Sequence, residues 1–355
     1  MDWSQNQPVL NERSRNVLRT LIREYVRSGK PIGSRLLAKV YTEDLSPATL
    51  RNVMADLEEA GYLAQPHTSA GRIPTRRGYR FYVESLLGSS RLSFVELDEI
   101  RTSLEEETDP ADLMSKTSQL LSIHTNSIGF VLSPPISAII MKHIEFVRLS
   151  KQRVQVILVG EGGLVQHKLI QVKDTLSQSA LDQAGRYLVE HFAGMNLTTI
   201  RSKLLKQMSR EKALYDRLLQ NVILLGCVAL ASTDGLAGHE PDVYVDGTSR
   251  VVRRLDEPGL ERLFSLLRTF EEKNRLIRII SECLAEANDG PTVTIGLEQH
   301  IPGMNNWTLI TSPYSYDCQT SGSLGVLGPS RMEYEKTISL VDYVAKLFGQ
   351  ILRSN

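Results

Sequence analysis

Apolar residues near the start of the chain recur with a helical period. Val17, Leu18, Leu21, Ile22, Tyr25 and Val26 share one face of a helix that Asn11 can cap. Ser28-Gly29-Lys30-Pro31 stops it. A short helix is predicted over about 34–40, with Leu36 and Leu37 pointing inward. After the polar stretch 41–45, Ser46 stands as an N-cap and Pro47 at the first helical position, where its missing N–H costs nothing. Leu50, Val53, Met54 and Leu57 then follow at i, i+3, i+4 and i+7, and Gly61 ends that helix. Two short strands, 62–65 and 72–74, flank the polar loop 66–71, and Thr75 caps a helix whose apolar face is Tyr79, Tyr82, Val83 and Leu86.

From Ser127 the period changes. Short apolar or alternating runs at 128–132, 144–149, 154–159 and 164–172, and again at 292–297, 307–311 and 322–327, read as strands, and a last helix runs over about 334–352. The stretch 88–126 reads as helical and acidic behind a Gly88-Ser89-Ser90 junction. The stretch 174–250 reads as mostly helical, with helices over 180–192 and 200–219 and an apolar run at 222–231. The fold class is therefore multidomain α+β: a helical head, then antiparallel strands closed by a terminal helix and interrupted by an insertion.

Two short helices, the second opening with Ser-Pro, make a helix-turn-helix, and the hairpin after them makes it winged. Ala48, Asn52 and Ala55 lie opposite the apolar stripe, with Thr49 and Arg51 flanking. Asparagine can pair bidentately with adenine and arginine with guanine, while alanine permits close approach. His67 in the loop and Arg72 at its base suit a narrow minor groove. Arg76, Arg77 and Arg80 open the following helix, where cations oppose the helix dipole and so suggest another attraction, such as phosphate. Arg15, Arg19, Arg23 and Arg27 form an i+4 stripe that reads either as a solvated face or as a DNA-backbone contact.

The charge distribution sharpens this picture. The chain has no net charge, but residues 1–88 hold 13 Lys and Arg against 9 Asp and Glu, and the remainder carries the compensating acid. A basic head on an acidic body is expected where one domain alone meets phosphate. No basic, apolar leader opens the chain and no run of 18 apolar residues occurs, so neither a signal peptide nor a membrane span is expected. Cys227, Cys283 and Cys318 are too scattered for a disulfide framework and fit a reducing cytoplasm. Gly160-Glu161-Gly162-Gly163 precedes a strand instead of a helix, and so fails as a phosphate loop. Gly322, Gly325 and Gly328 read as close-packed strand positions. Neither the dispersed histidines nor Asp242, Asp246 and His239 compose a metal site or a triad. No enzyme, cofactor or small-molecule substrate is expected.

Several segments together resemble a known family. Pro31-Ile32-Gly33-Ser34-Arg35, Leu45-Ser46-Pro47-Ala48-Thr49-Leu50-Arg51-Asn52, and above all Gln65-Pro66-His67-Thr68-Ser69-Ala70-Gly71-Arg72-Ile73-Pro74-Thr75 with Gly78-Tyr79-Arg80 are similar to the HrcA heat-inducible repressors. Val243-Tyr244-Val245-Asp246-Gly247-Thr248-Ser249-Arg250 and Gly322-Ser323-Leu324-Gly325-Val326-Leu327-Gly328-Pro329-Ser330-Arg331-Met332-Glu333-Tyr334 resemble the family's later signatures. The resemblance implies a winged helix-turn-helix over 1–88, a helical linker over 89–126, and a GAF-like domain over 127–173 and 251–355 with an inserted dimerisation domain over 174–250. It also implies a homodimer that represses chaperonin and DnaK-type chaperone operons at an inverted-repeat operator, CIRCE, with chaperonin as modulator. The candidate contacts to double-stranded DNA are Arg35, Ser46, Ala48, Thr49, Arg51, Asn52, His67, Arg72, Arg76 and Arg77. A ligand-responsive regulator, sensing a metabolite through the GAF-like sheet, is the alternative.

Overall fold

A computed structural model describes residues 10–41, 45–67, 70–86, 92–134, 139–163, 165–172, 175–210, 225–226, 242–252, 290–298, 304–315 and 321–354. The head, residues 10–86, opens with α1 (Glu12–Ser28). Asn11 accepts the Ser14 N–H at 2.8 Å, and Gly29 closes the helix at φ 69°, a conformation open to glycine. Helices α2 (Ser34–Val40) and α3 (Pro47–Glu59) follow, then β1 (Leu63–Ala64) pairs antiparallel with β2 (Ile73–Pro74), and α4 (Arg76–Glu84) leaves the hairpin. Val17, Leu18, Leu21, Ile22, Leu37, Leu50, Met54 and Leu57 are buried together. Of the two leucines expected inward on α2, only Leu37 is buried. Leu36 is 42% exposed, because a seven-residue helix turns only one narrow face to its neighbours. Ile32 extends the hairpin by exchanging backbone hydrogen bonds with Arg72, both at 2.9 Å. This approach requires Gly71, since a Cβ there would collide with the Ile32 backbone.

Helices α5 (Phe94–Glu105) and α6 (Pro110–Thr125) connect the head to the sheets. Ser93 and Glu96 form a capping box on α5, and Asp109 with Pro110 starts α6. A five-stranded antiparallel sheet has the order β7 (Val243–Asp246), β3 (Ile128–Leu132), β10 (Ser321–Pro329), β9 (Trp307–Ser315) and β8 (Thr292–Ile295). One face, with Val131, Ile310, Tyr314, Leu324 and Val326, shares a core with α10 (Tyr334–Ser354) and with the head. Phe130, Leu132, Trp307, Leu309 and Leu327 pack on the other, with Val251 of the short helix α9 (Thr248–Val252).

The strands expected at 144–149, 154–159 and 164–172 do not join that sheet. They are β4 (Met141–Arg148), β5 (Arg153–Gly160) and β6 (Val165–Gln171), a separate three-stranded antiparallel sheet. Its inner face, with Ile144, Phe146, Val156, Leu158 and Ile170, packs on Leu181, Ala184 and Leu188 of α7 (Gln178–Phe192) and on Ile200 and Leu204 of α8 (Leu197–Arg210). Residues on both sides of the division expected at 173/174 pack in this one unit, which lies in the chain between β3 and β7. Val243–Asp246, assigned to the helical insertion from sequence, is instead the edge strand beside β3. The expected helix end at 211–219, all of the apolar run 222–231 except 225–226, and residues 253–289 lie outside the described residues.

Candidate nucleic-acid interface

Helix α3 begins where the sequence places it. The Ser46 hydroxyl accepts the Thr49 N–H at 3.1 Å and sits 2.9 Å from the Thr49 hydroxyl. Both side chains thus hold the helix start, and any DNA contact from them is additional to capping. Leu50, Val53, Met54 and Leu57 are buried, whereas Ala48, Arg51, Asn52 and Ala55 are exposed. The open tip of α3 therefore presents two small residues, one amide and one guanidinium. Arg35 is exposed on α2.

The hairpin partly departs from expectation. His67 is exposed, and its carbonyl accepts the Ala70 N–H at 2.8 Å, while Gln65 Nε2 donates to the Ala70 carbonyl at 3.0 Å. Thr68 and Ser69 lie outside the described residues. Arg72 does not point outward. Its Nε and Nη2 reach Glu58 Oε2 at 2.8 and 2.7 Å, and its side chain is only 16% exposed. Glu58 thereby ties the hairpin base to α3. Thirteen residues separate the two in sequence, and no local pattern announces the pair.

The arginines at the start of α4 divide. Arg77 Nη1 donates to the Ala60 carbonyl at 2.9 Å, and its guanidinium lies 4.4 Å from the Tyr62 ring centroid. Ala60 is the C-cap of α3, so Arg77 meets the negative end of that helix and an aromatic face. Arg77 thus has two attractions within the head, while remaining exposed. Arg76 is exposed, with its Nε and Cδ beside Gly296 at the end of β8. Two of the α1 stripe are also engaged, Arg27 with Glu24 at 2.7 Å and Arg23 with Glu335 at 3.3 Å.

The α3 tip thus gathers Ala48, Arg51 and Asn52 on one exposed surface, while Arg72 and Arg77 hold the head together. Comparison with known proteins gives this surface its context. A family model described as HrcA protein C terminal domain matches residues 111–338. A heat-inducible transcription repressor HrcA from Geobacter sulfurreducens is 40% identical over 344 residues, covering 97% of this chain and 98% of the relative.

The chain belongs to the HrcA family.

The HrcA repressor of Syntrophobacter fumaroxidans is 37% identical over 347 residues, covering 97% of each. A crystal structure of a hypothetical protein shares the fold of this HrcA chain, with a TM-score of 0.60 at 22% identity over 97% of this chain and 99% of that one. Through its family, this HrcA chain is a heat-shock transcription repressor and not an enzyme. Among the described residues, no cluster of His, Cys, Asp and Glu could hold a metal ion, and no helix is long and apolar enough to cross a membrane.

Proposed function

We propose that this repressor binds double-stranded DNA through a winged helix-turn-helix at residues 10–86 and acts as a homodimer on an inverted-repeat CIRCE operator upstream of chaperonin and DnaK-type chaperone operons. The observation that carries the reading is the split of α3 into a fully packed inner face and an exposed outer tip of Ala48, Arg51 and Asn52. A helix presented in this way enters a major groove with its N-terminal half, and those side-chain types pair with base edges. Asp56 and Glu59 keep the other half of α3 away from phosphate. An inverted repeat is the natural site for a two-fold protein with one reading helix per subunit.

The five-stranded sheet with α6 and α10 serves as the GAF-like body, and the β4–β6 unit with α7 and α8 as the dimerising insertion. Support for the second assignment lies on the outer face of β6, where Val165 and Leu169 are 46% and 45% exposed, an apolar surface that a second copy would bury. Repression is then steric, by occupation of a promoter. Chaperonin modulates it: unfolded clients draw chaperonin away during heat stress and active repressor declines. The protein works in the cytoplasm, at the nucleoid when bound.

The test is a nuclease footprint over DNA upstream of chaperonin operons, with and without added chaperonin. A symmetric protected inverted repeat that strengthens with chaperonin is expected. Protection of a single half-site, or indifference to chaperonin, would remove the dimer or the chaperonin part respectively.

A further inference from the structure

Arg331, Tyr334 and Glu335, just before and within the first turn of α10, all reach from the body to the head. Glu335, with its side chain 11% exposed, accepts from Arg23 Nη2 at 3.3 Å and from the Tyr82 hydroxyl at 3.4 Å. Burial, and then the nearby Glu335 carboxylate, push the Tyr82 phenol up, so it remains a donor. The Tyr334 ring lies 5.7 Å from Tyr79 and meets Tyr82 edge-on at 6.3 Å. Its hydroxyl donates to the Ser330 carbonyl at 2.7 Å, which fixes the ring from the body side. The Arg331 guanidinium covers Gly29 at the C-cap of α1, so closely that a Cβ at Gly29 would overlap it. A cation there faces the negative end of the helix. Lys336, one residue on, donates to Glu96 at 2.5 Å and binds α5 to the same turn.

The aromatic contacts supply buried area but little direction. The charged contacts are directional, and they touch two separate points of α1, Arg23 and Gly29. Two fixed points on one helix, with α4 held between them, define an orientation and not merely an attachment.

We propose that Arg331, Tyr334 and Glu335 form a clasp that fixes the orientation of the head on the body, and that the clasp thereby sets the half-site spacing at which two heads can engage DNA. The first part stands on the contacts alone; the second rests on the operator-binding reading above.

Encoded spin labels at Arg13 and Lys346, both exposed, report the head-to-body distance in the full-length protein. The parent protein should give one narrow distribution. Arg23→Glu or Glu335→Lys should broaden it at least about twofold, and the swapped pair Arg23→Glu with Glu335→Arg should narrow it again, since reversing both charges restores the attraction. Arg23 is half exposed on the head, so its variant keeps the test open if the change at Glu335 prevents folding. A width unchanged in both single variants overturns the clasp. On DNA, lengthening the operator spacer by half a helical turn should weaken the parent roughly tenfold and the loosened variants less than about threefold. Equal spacer preference in a variant with a loosened head overturns the spacing role. A parent protein that binds no inverted repeat would instead sink the operator reading, leaving the distance measurements to judge the clasp.

Discussion

The outer flank of α3 and the flank formed by α1 and α4 belong to one small helical head, yet they meet different surroundings. On the first, Ala48, Arg51, Asn52 and Ala55 are exposed. On the second, Arg23 reaches Glu335, Tyr79 and Tyr82 pack on Tyr334, and Arg331 covers the end of α1. The hairpin lies between these conditions, with His67 exposed and Arg72 committed to Glu58. Arginine is thus spread over the whole head, but its position decides whether it builds the head or is presented to a partner. Counting basic residues therefore does not say which of them the fold leaves exposed.

The comparison is sharpest within α3 itself. Leu50 is fully buried in the head core, and Asn52, two residues on, is exposed. Leu50→Ala should cost about 2–5 kcal/mol of folding stability, read by denaturant unfolding, because it removes a packed side chain and leaves a cavity. Asn52→Ala should leave the unfolding curve in place and cost about 1–3 kcal/mol in discrimination between operator and altered operator, read by gel shift. A stability loss at Asn52 comparable to that at Leu50 would abolish the division of α3 into a packed face and a reading face.

Arg72 sharpens the contrast at the hairpin. Arg72→Ala removes a two-point charge-assisted pair and strands Glu58, which should cost about 1–2 kcal/mol of stability. The slope of log affinity against log salt should not change, since that slope counts phosphates neutralised. A slope reduced by about one unit in this variant would return Arg72 to the DNA surface.

The limits of the sequence follow from the same physics. Ser46-Pro47 and the Leu50, Val53, Met54, Leu57 spacing define α3 because capping and periodicity are local. The runs at 144–149, 154–159 and 164–172 are legible as strands for the same reason. Which sheet they join is not legible, because alternation reports which face is buried and not what covers it. Val243–Asp246 escapes notice as a strand because four residues flanked by Asp242 and Gly247 carry too little alternation. The exposed flank of α3 was legible, because it is the complement of the apolar stripe. The partners of Arg72 and Arg77 were not, since Glu58, Ala60 and Tyr62 reach them only after the chain reverses through the hairpin. Glu335 lies 312 residues from Arg23, beyond any local signal.

The smallest expected effect lies on the engaged side, where α5 meets α10. The Lys336 ammonium, helped by the Ser93 backbone and hydroxyl donors, holds the Glu96 carboxyl down to about 2. In the unfolded chain that carboxyl titrates in its ordinary range, about 4.3. A folded-state value below the unfolded one means that folding favours the ionised form. The contribution to stability is therefore complete above the ordinary range and declines as the pH falls from there towards 2. Glu96→Gln retains a side chain that can serve the capping box but removes the charge. Its thermal midpoint should lie below that of the parent at neutral pH, by an amount that solvent screening and salt keep modest. The two midpoints should converge as the pH drops through this window, because the parent loses the charge that the variant already lacks. Parallel midpoint curves from pH 7 to pH 2 would show that the Glu96–Lys336 pair contributes nothing to holding α5 against α10.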